Sequence, residues 1–372
     1  MTDRPPLTPL AAALPSTVPF VGPEEQERTR GRPFRARLGA NENGFGPSPA
    51  AVAAMAAAAP EMWKYGDADN HDLKQALAAH LGVGSQNVAI GEGIDGLLGL
   101  VVRLHVAPGQ PVVTSLGAYP TFNYHVAGFG GRLVTVPYRD DREDLDGLLA
   151  AVRAQAAPLV YVSNPDNPMG SWWEAAEITR FAEALPETTL LVLDEAYGET
   201  APQGVLPPIA PLRPNVLRLR TFSKAYGLAG LRCGYAVGEA ETIRAFDKVR
   251  NHFGMTRMSQ VAALAALNDR AHLADTLARM AQSRTRIAEI ASAAGCRALP
   301  SATNFVTIDC GGDGERAMRV LRALDARDVF VRKPMAPGLD RCIRVSVGPA
   351  EEIAAFAEAF GPALAEARQA AG

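Results

Sequence analysis

Cysteine is scarce in this chain, and its paired motifs are absent. The four cysteines, Cys233, Cys296, Cys310 and Cys342, are too widely spaced for a CxxC pair, and no histidine cluster accompanies them. No metal site is expected, and the thiols read as reduced and mostly structural, as in a cytosolic protein. An excess of one charge is also missing. The 37 basic and 40 acidic residues leave a net charge of −3 and are interspersed, which argues against a nucleic-acid surface or a disordered tail. No apolar run reaches the roughly 20 residues that span a bilayer; the longest apolar helix candidate is the Ala-rich run 49–59. Pro5, Pro6, Pro9, Pro15 and Pro19 break any apolar signal core near the N-terminus. The chain therefore reads as soluble and cytoplasmic, with no nucleic-acid or membrane partner. It has no internal repeat.

What is present is a large core. A chain of 372 residues, 48% of them apolar and 21% charged, is too long for one ordinary domain. Residues 1–45 are Pro/Gly-rich with little periodicity and read as an arm. Apolar strand-like runs then occur at 87–90, 111–114, 132–137, 158–163, 189–194, 216–220 and 233–237. Helical patterns lie between several of them, at 94–105, 144–155, 173–185 and 239–251. Such alternation predicts a mainly parallel sheet covered on both faces, an α/β domain over residues 46–255. From about 258 long Ala-rich helical segments take over, with short strands near 304–309, 329–332 and 342–347. That pattern predicts a smaller α+β domain over residues 256–372.

The segment VAIGEGIDGLL, residues 88–98, carries glycines spaced G-x-G-x-x-G between a strand and a helix. In a dinucleotide fold an acidic residue about 20 positions on holds the ribose. No Asp or Glu occurs from Leu97 through Arg139, which argues against NAD. Gly93, Ile94 and Asp95 still open a helix with free backbone N–H groups, which is an anion site or else a plain strand–helix turn.

Three further stretches carry candidate chemistry. SNPDNPMG, residues 163–170, follows a strand and offers the Asn167 amide at the edge where α/β proteins place ligands; a rigid turn is the plain alternative. LLVLDEAY, residues 190–197, ends a buried strand in Asp194, either a helix cap or a fixed negative charge under a cationic atom, with Tyr197 three residues on. RTFSKAYGLAGLRCG, residues 220–234, sets Lys224 among Phe222, Ala225 and Leu228. Desolvation there would lower its pKa, as an amine that attacks a carbonyl carbon requires. Ser223 and Arg232 bracket it with anion-binding groups.

The order GxGxD, NxxNPxG-like, DEAY, TFSK and LAGLR resembles fold-type I pyridoxal-phosphate aminotransferases, and most closely the histidinol-phosphate aminotransferase family. The likeness extends from LGANEN at 38–43 to RVSVG at 344–348. It implies a mainly parallel seven-stranded sheet in the large domain, a smaller α+β domain, and an arm that packs on the small domain and on a partner subunit. By the resemblance, Lys224 carries pyridoxal 5'-phosphate covalently and acts as general base, and Asp194 pairs with the ring nitrogen. Tyr197 and Asn167 bond the phenolic oxygen, and Phe122 stacks on the ring. Ser223, Arg232 and the N–H groups of Ile94 and Asp95, in the turn at Gly93, hold the phosphate. Tyr65 in KYGD resembles the tyrosine that reaches the phosphate from the partner, which implies a homodimer with shared sites. Arg344 and Arg332 resemble the arginines that grip the anionic part of the amino donor or of the 2-oxo acid acceptor.

The pattern also departs from the family. Phe20 replaces an arm tyrosine whose hydroxyl touches the substrate phosphate, Ile94 replaces a small residue, Met169 a threonine and Gly66 a proline. Phe20 predicts that histidinol phosphate is not strongly preferred over aromatic or other bulky amino acids. An amino-acid-phosphate decarboxylase shares the scaffold and is a rival reading. A non-catalytic cofactor-binding regulator would carry a DNA-binding domain in front, for which this arm is too short.

Overall fold

The structure, a computed structural model, describes residues 5–16 and 21–369. Its architecture follows from which strands are apolar on both faces. LVYVS and LLVLD are buried at every position, so they belong in the interior of a parallel sheet with helices on both sides. In chain order the strands are β1 (Ala36–Arg37), β2 (Val88–Gly91), β3 (Pro111–Ser115), β4 (Arg132–Val136), β5 (Leu159–Ser163) and β6 (Leu190–Asp194). They continue as β7 (Val216–Thr221), β8 (Gly234–Val237), β9 (Arg297–Ala298), β10 (Phe305–Asp309), β11 (Val329–Phe330) and β12 (Cys342–Ser346).

The large sheet has seven strands in the order β2-β8-β7-β6-β5-β3-β4. All its neighbours are parallel except those of β8, which runs against both β2 and β7. The carboxyl ends of β2, β3, β5, β6 and β7 therefore share one edge. The glycine turn, the 116–120 loop, the Asn164–Asn167 loop, Asp194 and Lys224 all leave the sheet there. Because β8 runs the other way, Arg232 enters it from the same edge.

A second core lies around the antiparallel sheet β12-β10-β9. Helices Arg270–Ala293, Gly314–Ala326 and Ala350–Gln369 cover it, through Met280, Ile287, Val320, Leu324, Phe356 and Phe360. The arm is stitched to this core. β1 pairs with β11, Ala36 opposite Val329, and Ala36 and Leu38 are buried in the same cluster. Helix Arg257–Asn268, expected in the smaller domain, packs elsewhere. Its face Ala262, Ala263, Ala266 and Leu267 is buried with Ala51, Leu73 and Leu77 against β2 and β8. The small alanines let that helix lie close on helix Pro49–Ala58. Among the described residues no helix is long and apolar enough to cross a membrane.

Candidate active site

The glycine turn is shaped by close approach. Gly93 has φ +74°, a conformation that favours glycine, and the Arg232 guanidinium lies against it, 2.4 Å from where a Cβ would stand. On β8, a Cβ at Gly234 would stand 2.9 Å from the Ile94 nitrogen. Helix Gly93–His105 has no side-chain cap at Glu92, and its first N–H groups are available at the positive end of the dipole. Arg232 Nη1 donates to Ser223 Oγ at 3.2 Å, and Thr221 Oγ1 donates to the same oxygen at 2.9 Å. The Asp95 carboxylate accepts from the Tyr119 hydroxyl at 2.7 Å, and its other oxygen is 3.5 Å from Arg232.

Lys224 is part-buried, and its Nζ donates to the Asn41 carbonyl at 3.2 Å. Burial, then the Arg344 charge, lowers its pKa to about 8, with Asp95 opposing and Arg232 adding to the fall. Asn41 is a hub. Its Nδ2 donates to the Tyr197 hydroxyl at 2.9 Å, its N–H to Ser346 Oγ at 3.0 Å, and its carbonyl accepts from Asn304 Nδ2 at 2.9 Å. Burial pushes Tyr197 up to about 12, with Arg344 and Asn41 opposing.

Asp194 is 4% exposed at the end of β6. Its Oδ1 accepts from the Ala196 N–H at 2.9 Å and its Oδ2 from the Tyr161 hydroxyl at 2.7 Å. Burial raises its pKa to about 6, against the pull of these two donors. The next residue, Glu195, has no exposed side chain and takes Arg218 and Arg220 as partners. That ion pair anchors the DEAY turn beneath the site.

Asn167 Oδ1 accepts from Arg344 Nη1, and its N–H donates to Ser163 Oγ at 3.3 Å. Arg344 and Arg332 pair backbone to backbone; burial lowers Arg344 to about 10. Arg344 Nε is buried with no protein hydrogen-bond partner among the described residues.

Two expected site residues stand apart from this cluster and one cannot be placed. Phe122 has no exposed surface; its ring stacks on Tyr161 at 4.5 Å inside the sheet's core. A second aromatic side chain at the site, besides Tyr197, is Tyr119, just before helix Pro120–Gly128 and bonded to Asp95. Tyr65 is 77% exposed and meets Phe253 and Arg257, not the chain's own Ser223 or Arg232. Phe20 lies outside the described residues. Spacing did not reveal Asn41, Asn304, Ser346, Tyr119 or Tyr161; the buried tyrosine within LVYVS was the one visible signal.

Residues 36–360 match the family model of aminotransferase class I and II. The chain belongs to that family. This aminotransferase is 38% identical over 338 residues to histidinol-phosphate aminotransferase 2 of Ralstonia nicotianae, covering 90% of each chain. It is 38% identical to the histidinol-phosphate aminotransferase of an Anaeromyxobacter species, covering 91% of this chain and 94% of that one. Among solved structures, the histidinol-phosphate aminotransferase from Sinorhizobium meliloti in complex with pyridoxal-5'-phosphate is 58% identical, with TM-score 0.94 over 96% of this chain and 97% of that one. A Thermus thermophilus aspartate aminotransferase with maleate, 21% identical at TM-score 0.81, shares the fold.

The site's donor set fits a phosphorylated, ring-bearing aldehyde. A low-pKa amine, a buried carboxylate and an uncapped helix end with Ser223 and Arg232 converge at one sheet edge, and a Cβ at Gly93 would fill the cradle. The amine's environment makes a test that needs no cofactor. Trinitrobenzenesulfonate labelling of Lys224 in the cofactor-free aminotransferase should be half-maximal near pH 8, because the shifted pKa is about 8. Arg344→Leu, by removing a neighbouring positive charge, should move that midpoint up. A midpoint near that of a solvated lysine, about 10, in the unaltered protein would contradict the assignment of its surroundings.

Proposed function

We propose that this aminotransferase uses pyridoxal 5'-phosphate to move an amino group from histidinol phosphate to a 2-oxo acid such as 2-oxoglutarate. The carrying observation is the Arg344–Arg332 pair beside Asn167, close enough that the Arg344 charge depresses Lys224. Two guanidiniums can clamp a phosphate on the donor and then the carboxylate of the acceptor. The curated relatives named above support the same donor.

The roles follow from the surroundings. Ser223, Arg232 and the N–H groups of Ile94 and Asp95 hold the phosphate, while Asp95's own carboxylate is turned to Tyr119. When bound, pyridoxal 5'-phosphate supplies an electron-accepting ring for the pair released at the donor's Cα. Asp194, an anion under the ring nitrogen, keeps a proton on that nitrogen. Lys224 Nζ anchors the cofactor and, when free, takes the Cα proton as general base; a pKa of about 8 keeps part of it neutral at pH 7. Tyr197, held by Asn41, and Asn167, held by Arg344, orient the ring's phenolic oxygen. Tyr119, held by Asp95, would offer its ring beside the cofactor's. We also place the large pyridoxal-phosphate domain at residues 46–255 with helix Arg257–Asn268 added to it.

A second reading, an aminotransferase for aromatic or bulky amino acids, is favoured by Phe20. Losing one hydroxyl bond to a charged phosphate costs roughly 1.5–3 kcal/mol, about ten- to a hundred-fold in kcat/KM. Histidinol phosphate, phenylalanine, tyrosine and leucine should be compared with 2-oxoglutarate as acceptor. We expect turnover of histidinol phosphate with a lead below about a thousand-fold, near 4 kcal/mol. No turnover of it would overturn the main reading, and a larger lead would overturn the argument from Phe20.

The active form is proposed to be a homodimer in which Tyr65 serves the partner's phosphate site. Met62, Trp63, Tyr65 and Phe253 form an exposed apolar surface, with Trp63 79% exposed, of the kind that marks an interface. Mixing the Tyr65→Ala and Lys224→Ala variants should restore part of the activity through hybrid dimers with one intact site. Absence of recovery despite demonstrated subunit exchange would show that Tyr65 serves its own chain.

A further inference from the structure

Tyr161 stands in the middle of β5 with no exposed surface. A hydroxyl sunk in the core of a parallel sheet is costly without a partner, and phenylalanine would fill the same space. Its partner is Asp194 Oδ2 on the adjacent strand, at 2.7 Å. The Ala196 N–H takes the other carboxylate oxygen. Each oxygen thus has one neutral donor, and no cation pairs with Asp194 among the described residues.

The tyrosine has little freedom to leave. Phe122 stacks on it with ring planes 16° apart, and both belong to a cluster with Leu97, Val192, Leu219 and Ala236. The Phe122 ring thus holds Tyr161 in place.

We propose that Tyr161 is a positioning residue for Asp194, its hydroxyl fixing the carboxylate's orientation and keeping it an anion toward the cofactor's ring nitrogen. This rests on the reading of Asp194 given above. The titratable groups around the carboxylate otherwise oppose the anion. Burial raises Asp194, as do Asp95 and Glu195, while Tyr161 and the Ala196 N–H lower it. Glu143, Tyr119 and Tyr197 also feel its charge. Without the hydroxyl the carboxyl would hold its proton to higher pH. A neutral Asp194 cannot balance a protonated ring nitrogen.

The test compares Tyr161→Phe with the unaltered aminotransferase and with Asp194→Asn. The first readout is binding to the cofactor-free protein of pyridoxal phosphate against its 1-deaza analogue, which lacks the ring nitrogen. The unaltered protein should favour pyridoxal phosphate. Tyr161→Phe should cut that ratio about ten-fold, the worth of one hydrogen bond to a charged group, and Asp194→Asn should abolish it. The second readout is the half-reaction with an amino donor, whose acid limb should move up by about one pH unit in Tyr161→Phe, with KM little changed. A 3,5-difluorotyrosine at position 161, a stronger donor that preserves the packing, should move the same limb down. A purely structural role would change neither the ratio nor the limb. An unaltered ratio and limb in Tyr161→Phe, or shifts of the same sign in both variants, would overturn the inference. An unaltered ratio in Asp194→Asn would overturn the Asp194 reading itself, and the inference with it.

Discussion

The main-chain carbonyl of Asn41 accepts hydrogen bonds from both Lys224 Nζ and Asn304 Nδ2, and the whole site depends on that shared acceptor. Lys224 leaves the large sheet, Asn304 precedes the strand β10 of the small one, and Asn41 belongs to the N-terminal segment. Asn41 adopts a left-handed conformation at φ 55°, a conformation open to asparagine at modest cost. Ser346 fixes it by bonding both its N–H and its Oδ1. The amine is therefore desolvated only when three distant parts of the chain are docked together. Its depressed pKa is a property of that assembly, not of the TFSK stretch.

Convergence at one edge is a consequence of strand order. Six strands point their carboxyl ends the same way, and the loops after five of them, spread over some 130 residues of sequence, meet without any long connection. The reversed strand β8 brings Arg232 back to the same edge and lays Gly234 beside the Ile94 nitrogen. Charge is handled by distance from solvent. The half-exposed Arg232 stands beside Asp95 at the rim, while the buried Glu195–Arg218–Arg220 group stiffens the turn below Asp194.

Much of this was legible in the sequence, for identifiable reasons. Strands such as LVYVS and LLVLD announce themselves because both faces are apolar, and the seven expected strands are the seven of the large sheet. Lys224, Asp194, Ser223 and Arg232 were legible because each sits beside a strand end in a recognisable motif. The aromatic side chains are harder to read, because spacing does not say which way a side chain points. Tyr119 precedes Pro120 and stays at the helix entrance, whereas Phe122, one turn in, rotates into the core. Asn41, Asn304 and Ser346 escaped because their partnership is non-local, spanning more than 250 residues. The packing of helix Arg257–Asn268 was not legible, because an alanine-rich face looks the same against either sheet.

The central claim is that one amine among the chain's five lysines is built to hold the cofactor. The other four are Lys64, Lys74, Lys248 and Lys333. Borohydride reduction of the aminotransferase with pyridoxal 5'-phosphate, followed by peptide mass mapping, tests it most directly. The account predicts a single modified peptide, carrying the reduced cofactor on Lys224. Stoichiometric modification of any other lysine, with Lys224 unmodified, would contradict it.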